Sequence, residues 1–141
     1  MATQIFVNLP VKDLNRSKEF YSALGFGIDA QYTDETAAAV IVSDTIYVML
    51  LTEEKFRGFT PKEICDARRY TEVLNCLSCE SREQLDDLVR KAVAAGGTTY
   101  NEAKEYGFMY GHGFQDPDSH IWELVCMTPE ATENKATAEK A

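Results

Sequence analysis

Apolar residues along this chain follow two periods in turn, and the succession occurs twice. Residues 5–11 are β-prone and stop just before Asp13. Behind Asp13, which reads as a helix N-cap, Leu14, Ser17, Phe20, Tyr21 and Leu24 recur at helical spacing, and Gly25 stands where a helix would end. Three short β-prone runs follow at 28–33, 37–43 and 45–51, divided by the turn signals Asp34-Glu35 and Ser43-Asp44. The unit reads β-α-β-β-β.

Residues 52–71 are more polar, and within them Thr60-Pro61-Lys62-Glu63 has the cap, proline and acidic residue of a helix start. This predicts a linker with a short helix. From residue 73 the order begins again. A strand over 73–79 precedes Ser81 and Gln84, a capping box, and Leu85, Leu88, Val89 and Ala92 then repeat at helical spacing up to Gly96-Gly97. Strand pieces are predicted at 98–101, 107–111, 113–115 and 120–126, the last after the turn Asp116-Pro117-Asp118-Ser119. Residues 128–141 are rich in Ala, Thr, Glu and Lys without an apolar period, a tail expected to be frayed or disordered.

An offset of 68 lays Phe6 on Leu74 and the cap Asp13 on the cap Ser81; an offset of 74 lays Met49 on Glu123. Two units that each bury one sheet face can pack side by side. The expected architecture is therefore one α+β domain over 1–127, with module 1 at about 5–51, a linker at 52–71 and module 2 at about 73–126. Its sheet would be curved, eight-stranded and largely antiparallel, with helices outside and a concave pocket.

Composition narrows the function. The 141 residues carry 14 Lys+Arg against 23 Asp+Glu, a net charge of −9, and Arg68-Arg69 is the longest basic cluster. That balance excludes a nucleic-acid-binding stripe and disfavours an anionic membrane surface. No spanning run or signal peptide is legible, so a cytoplasmic location is expected. Cys76 and Cys79 form a lone Cys-x-x-Cys; on a strand they would face opposite sides and could not share a metal.

The most distinctive stretch runs from Tyr106 to Phe114, dense in aromatic residues and glycine. If the turn at 116–119 pairs Gln115 with His120, His112 falls directly across from Glu123. Opposed on a concave face, they form a candidate acid/base dyad with Tyr110 as a polarising donor; the alternative is a structural hydrogen bond that satisfies a half-buried carboxylate. Tyr106, Phe108, Tyr110 and Phe114 share parity with His112 and would line the same face, unless they pack against the helices instead. Tyr47 and Met49 from the equivalent strand of module 1, and Asn8, complete the candidate ligand-binding set.

Two motifs carry a family resemblance: Val-Lys-Asp-Leu-x-Arg-Ser-x-x-Phe-Tyr-x-x-Leu-Gly-Phe over 11–26, and Phe-x-Asp-Pro-Asp-x-His-x-Trp-Glu-Leu over 114–124. Together they resemble the vicinal oxygen chelate superfamily, the group of glyoxalases, bleomycin resistance proteins and extradiol dioxygenases. The resemblance implies paired βαβββ modules, a homodimer and a pocket on the concave face of the sheet. It also implies metal ligands on the first and last strands of each module, which here fall at Phe6, Met49, Leu74 and Glu123. Only Glu123 suits a hard or borderline ion, and shifting by two brings in Asn8 and Cys76, so no metal cofactor is expected. The expected function is binding of a small, partly aromatic molecule. A lyase- or isomerase-like enzyme using His112 and Glu123, and a metal-dependent glyoxalase or dioxygenase with migrated ligands, are the alternatives.

Overall fold

The computed structural model describes residues 2–127; the predicted tail at 128–141 lies outside them. Module 1 comprises β1 (Ile5–Val11), α1 (Leu14–Ala23), β2 (Gly27–Asp29), β3 (Ala37–Ile41) and β4 (Ile46–Thr52), with a single 3₁₀ turn at Ala30–Tyr32. A short α2 (Glu53–Arg57) leads into the linker. Module 2 comprises β5 (Asn75–Ser78), α3 (Arg82–Ala94), β6 (Lys104–Glu105), β7 (Met109–Gln115) and β8 (Ile121–Met127).

Helix starts fall where the caps predict them. The Asp13 carboxylate accepts the Arg16 N–H at 3.1 Å. Ser81 Oγ accepts the Gln84 N–H at 3.0 Å while the Gln84 side chain accepts the Glu80 N–H at 2.7 Å. Gly96, at φ +107°, ends α3 in the left-handed region that glycine enters without steric cost. In the linker the expected helix at 60–63 is absent: Thr60 Oγ1 closes one turn on the Lys62 N–H, and the helix forms instead at Glu53–Arg57, capped by Thr52 with Glu53 and Glu54 in its first turn.

The eight strands form two sheets of four, ordered β1-β4-β3-β2 and β5-β8-β7-β6, rather than one continuous ladder. In each the first strand pairs parallel with the last and the other pairs are antiparallel. The predicted piece at 98–101 contributes only a bridge between Thr98 and Gln115, and the two pieces at 107–115 are one strand.

One core serves both modules. Phe20 and Tyr21 on α1 reach across to Phe114 and Trp122 of module 2, with ring centroids 5.9 and 6.3 Å apart. All four are buried, together with Leu50, Leu85 and Leu124. The helix-side faces of the sheets thus share an interior, and the alternate residues of each strand form an open face on the other side.

Candidate functional site

The two motifs meet at the module junction. The Tyr21 hydroxyl donates to Asp116 at 2.7 Å and accepts the Trp122 indole N–H at 2.9 Å. Asp116 Oδ1 accepts the Asp118 and His120 N–H groups, both at 2.9 Å. Asp118 accepts the Lys12 N–H at 3.0 Å and the Ser17 hydroxyl at 3.3 Å, and the His120 ring bonds the Pro10 carbonyl at 2.7 Å. Burial is the main influence that raises the Asp116 carboxyl above its ordinary 3.8; burial and Asp116 raise the Tyr21 phenol as well. These groups lock turn to helix.

The same turn sets the register of the β7–β8 hairpin, and it overturns one expectation. Ser119 N–H bonds Asp116 O, Ser119 takes φ +73°, and Asp116 N–H bonds His120 O, so the loop has three residues instead of four. Gln115 therefore pairs with Ile121, His112 with Leu124 and Gly113 with Glu123. A shift of one residue transfers every side chain to the other face. His112 and Glu123 are not directly opposed; His112 Nε2 lies 3.1 Å from the Asn101 carbonyl oxygen.

Tyr110 and Phe114 move with the register to the helix side. Phe114 is core, and the Tyr110 hydroxyl donates to Asp86 on α3 at 2.6 Å under the Arg82 guanidinium, 4.0 Å from its ring centroid. The carboxylate it bonds raises the Tyr110 phenol. Phe108, exposed at the entry to β7, lies 6.4 Å from the Tyr106 ring. Trp122 is core.

The open face carries a different set. In module 1, Asn8 stands level with Met49 and Phe6 with Tyr47, whose rings stack at 4.9 Å and 12°. In module 2, Cys76 stands level with Glu123. The repeat offsets relate Asn8 to Cys76 and Met49 to Glu123, so these four, not Phe6 and Leu74, are the register-matched positions of the two modules. Cys76 and Cys79 diverge as expected: Cys76 is exposed, while Cys79 packs on the core beside Cys126.

An amide, a thioether, a thiol and one carboxylate do not suit a hard divalent ion. Burial and Glu123 raise the Cys76 thiol, which keeps its proton on where a ligand must lose it. Among the described residues no group of three His, Cys, Asp or Glu side chains converges on one point.

Tyr100, absent from the sequence-based set, also belongs here. A Cβ on Gly113 would lie 2.4 Å from its hydroxyl oxygen. Tyr100, Gly111, His112 and Glu123 border a shallow hollow of about 80 Å³. A larger hollow, about 770 Å³, lies at the module junction under the linker, between Pro10, Lys12, Arg57, Arg68, Asp118 and His120. Its Asp118 and His120 belong to the junction network and its rim is exposed loop.

The sequence pattern of the Glyoxalase/Bleomycin resistance protein/Dioxygenase superfamily matches residues 4–124, and the chain belongs to that superfamily. No curated protein matches. Among solved structures, the hypothetical protein SA1046 from S. aureus is 28% identical with a TM-score of 0.75, covering 89% of this chain and 94% of that one. A glyoxalase/bleomycin resistance protein/dioxygenase family enzyme from Burkholderia phytofirmans PsJN superposes with a TM-score of 0.76 at 18% identity, over 90% of this chain and 100% of its own. A glyoxalase-related enzyme from Fulvimarina pelagi gives 0.74 at 17% identity, over 89% and 88%. At the lower identities the likeness is one of fold.

Proposed function

We propose that this protein binds a small, flat, partly aromatic molecule on the open face of its sheets, without the hard divalent metal of its catalytic relatives, and that a second copy of the chain completes the site. The observation that carries the reading is the parallel Phe6–Tyr47 stack, which stands on that face with Phe6 50% exposed. A stacked pair already offers one flat surface of the kind that planar ligands add to. The 80 Å³ hollow of module 2 is well short of the roughly 300–1,000 Å³ of a small-molecule site, so closure needs a facing surface. Repeat-related apolar residues lie exposed where β1 begins and where β5 is entered, Ile5 at 56% with Phe6, and Val73 and Leu74 at 59% and 54%. Such a pair of related apolar surfaces suits a two-fold dimer.

The test is a thermal-shift screen of planar aromatic compounds, with sedimentation to give the oligomeric state. A stabilising compound whose shift is lost in Phe6→Ala, while the unliganded melting temperature stays unchanged, supports the reading. Failure of every planar compound to move the transition overturns it, and a monomer at all concentrations overturns the shared site.

A further inference from the structure

Gly113 marks a seat. A Cβ there would meet the Tyr100 hydroxyl at 2.4 Å and the Trp122 carbonyl oxygen at 2.6 Å, distances that real Cβ atoms do not tolerate. The missing side chain lets the Tyr100 phenol lie down over β7. Gly113 pairs with Glu123 and Glu123 with Cys76, so the phenol rests at one end of a row that crosses three strands on the open face. The neighbouring residues of β8, Trp122 and Leu124, are buried on the other side.

The chemistry of this row is one-sided. Glu123 supplies acceptor oxygens, the Tyr100 oxygen supplies another, and Cys76 is a neutral thiol. Tyr100 feels the carboxylate: burial first, then Glu123 and Cys76, raise its phenol, so it stays neutral while Glu123 sits beside it. Lys104 and Glu102, of opposite charge, also border the hollow. On a chain of net charge −9, such a cluster of oxygens favours a positively charged group.

We propose that Tyr100 and Glu123 form an acceptor pair that holds a protonated amine on the ligand, the carboxylate through a charge-assisted hydrogen bond and the phenol oxygen through a second one. This rests on the open face being a ligand site and names the head group that it takes. The experiment is a titration of ¹⁵N-labelled protein with benzylamine, benzyl alcohol and benzoate, each followed by amide shifts. Benzylamine is expected to perturb residues 111–113 and 123 most strongly and benzoate least. Glu123→Gln should weaken benzylamine about tenfold and remove its advantage over benzoate, and Tyr100→Phe should weaken it about threefold with an otherwise unchanged spectrum. A measurement without ligand accompanies it: Glu123→Gln should lower the ionisation midpoint of Tyr100 in an ultraviolet titration, identified by its loss in Tyr100→Phe. Benzoate binding as tightly as benzylamine, or both variants binding benzylamine like the parent, overturns the pair. If the probes perturb only residues around Tyr47 and Met49, the amine site falls and the binding face stands; if no probe perturbs any open-face amide, both fall.

Discussion

Strand β8 sends successive side chains into two environments. Trp122 enters the junction beneath α1, where its indole bonds Tyr21 and Tyr21 bonds Asp116. Glu123, one residue on, points to the open face beside an exposed thiol and a tyrosine lying on a glycine. At the junction no buried side-chain polar atom lacks a partner among the described residues, and the aromatic rings touch one another; on the open face aromatic surface is left in solvent. The difference separates architecture from recognition within one motif. Asp116, Asp118, His120 and Trp122 tie two modules together, and Glu123 faces outward from that stretch.

The contrast can be broken most forcefully at its buried side. Trp122→Ala should cost about 3–5 kcal/mol, because it opens a cavity and removes the indole N–H that the Tyr21 oxygen accepts. A chemical denaturation curve showing less than about 1 kcal/mol would mean that the junction is not the shared core. Asp116→Asn should cost about 2 kcal/mol, since an amide offers one acceptor oxygen where the carboxylate uses two.

Asp116 also predicts a pH dependence. Its folded carboxyl is raised above 3.8, so the folded chain holds the proton to higher pH than the unfolded chain. Its favourable contribution is complete below the ordinary carboxylate value and is lost as pH rises through the raised one. Stability measured between about pH 3 and pH 7 should therefore fall with pH in the parent relative to Asp116→Asn. Parallel curves for the two proteins would refute the assignment.

The smallest effect is expected on the open side. Phe6→Ser should change stability by less than about 1 kcal/mol, since the ring is half exposed, while removing binding of planar compounds. A large loss of stability there would erase the distinction between the two faces.

Much of this was legible along the chain. The caps at Asp13 and Ser81 and the helical spacing behind them are local effects, settled within a few residues, and they fall where expected. The repeat was legible because each module must bury one face, which imposes the same order of periods twice. The site was less legible, because parity counting depends on loop length. One residue fewer in the loop after Asp116 turned Tyr110 and Phe114 inward and moved His112 off Glu123. Glycine at 111 and 113 permits a close approach, but nothing local says that Tyr100 is what approaches Gly113.

The sequence by itself determined the family, the two modules and the acidic balance, because motif spacing, hydrophobic period and charge are properties of the chain. Only the tertiary structure decided which face each side chain serves. The decision came from Ser119 adopting a left-handed conformation and from Asp116 finding partners in Tyr21, Asp118 and His120, a balance of turn strain against hydrogen bonds, one of them to a residue far away in sequence.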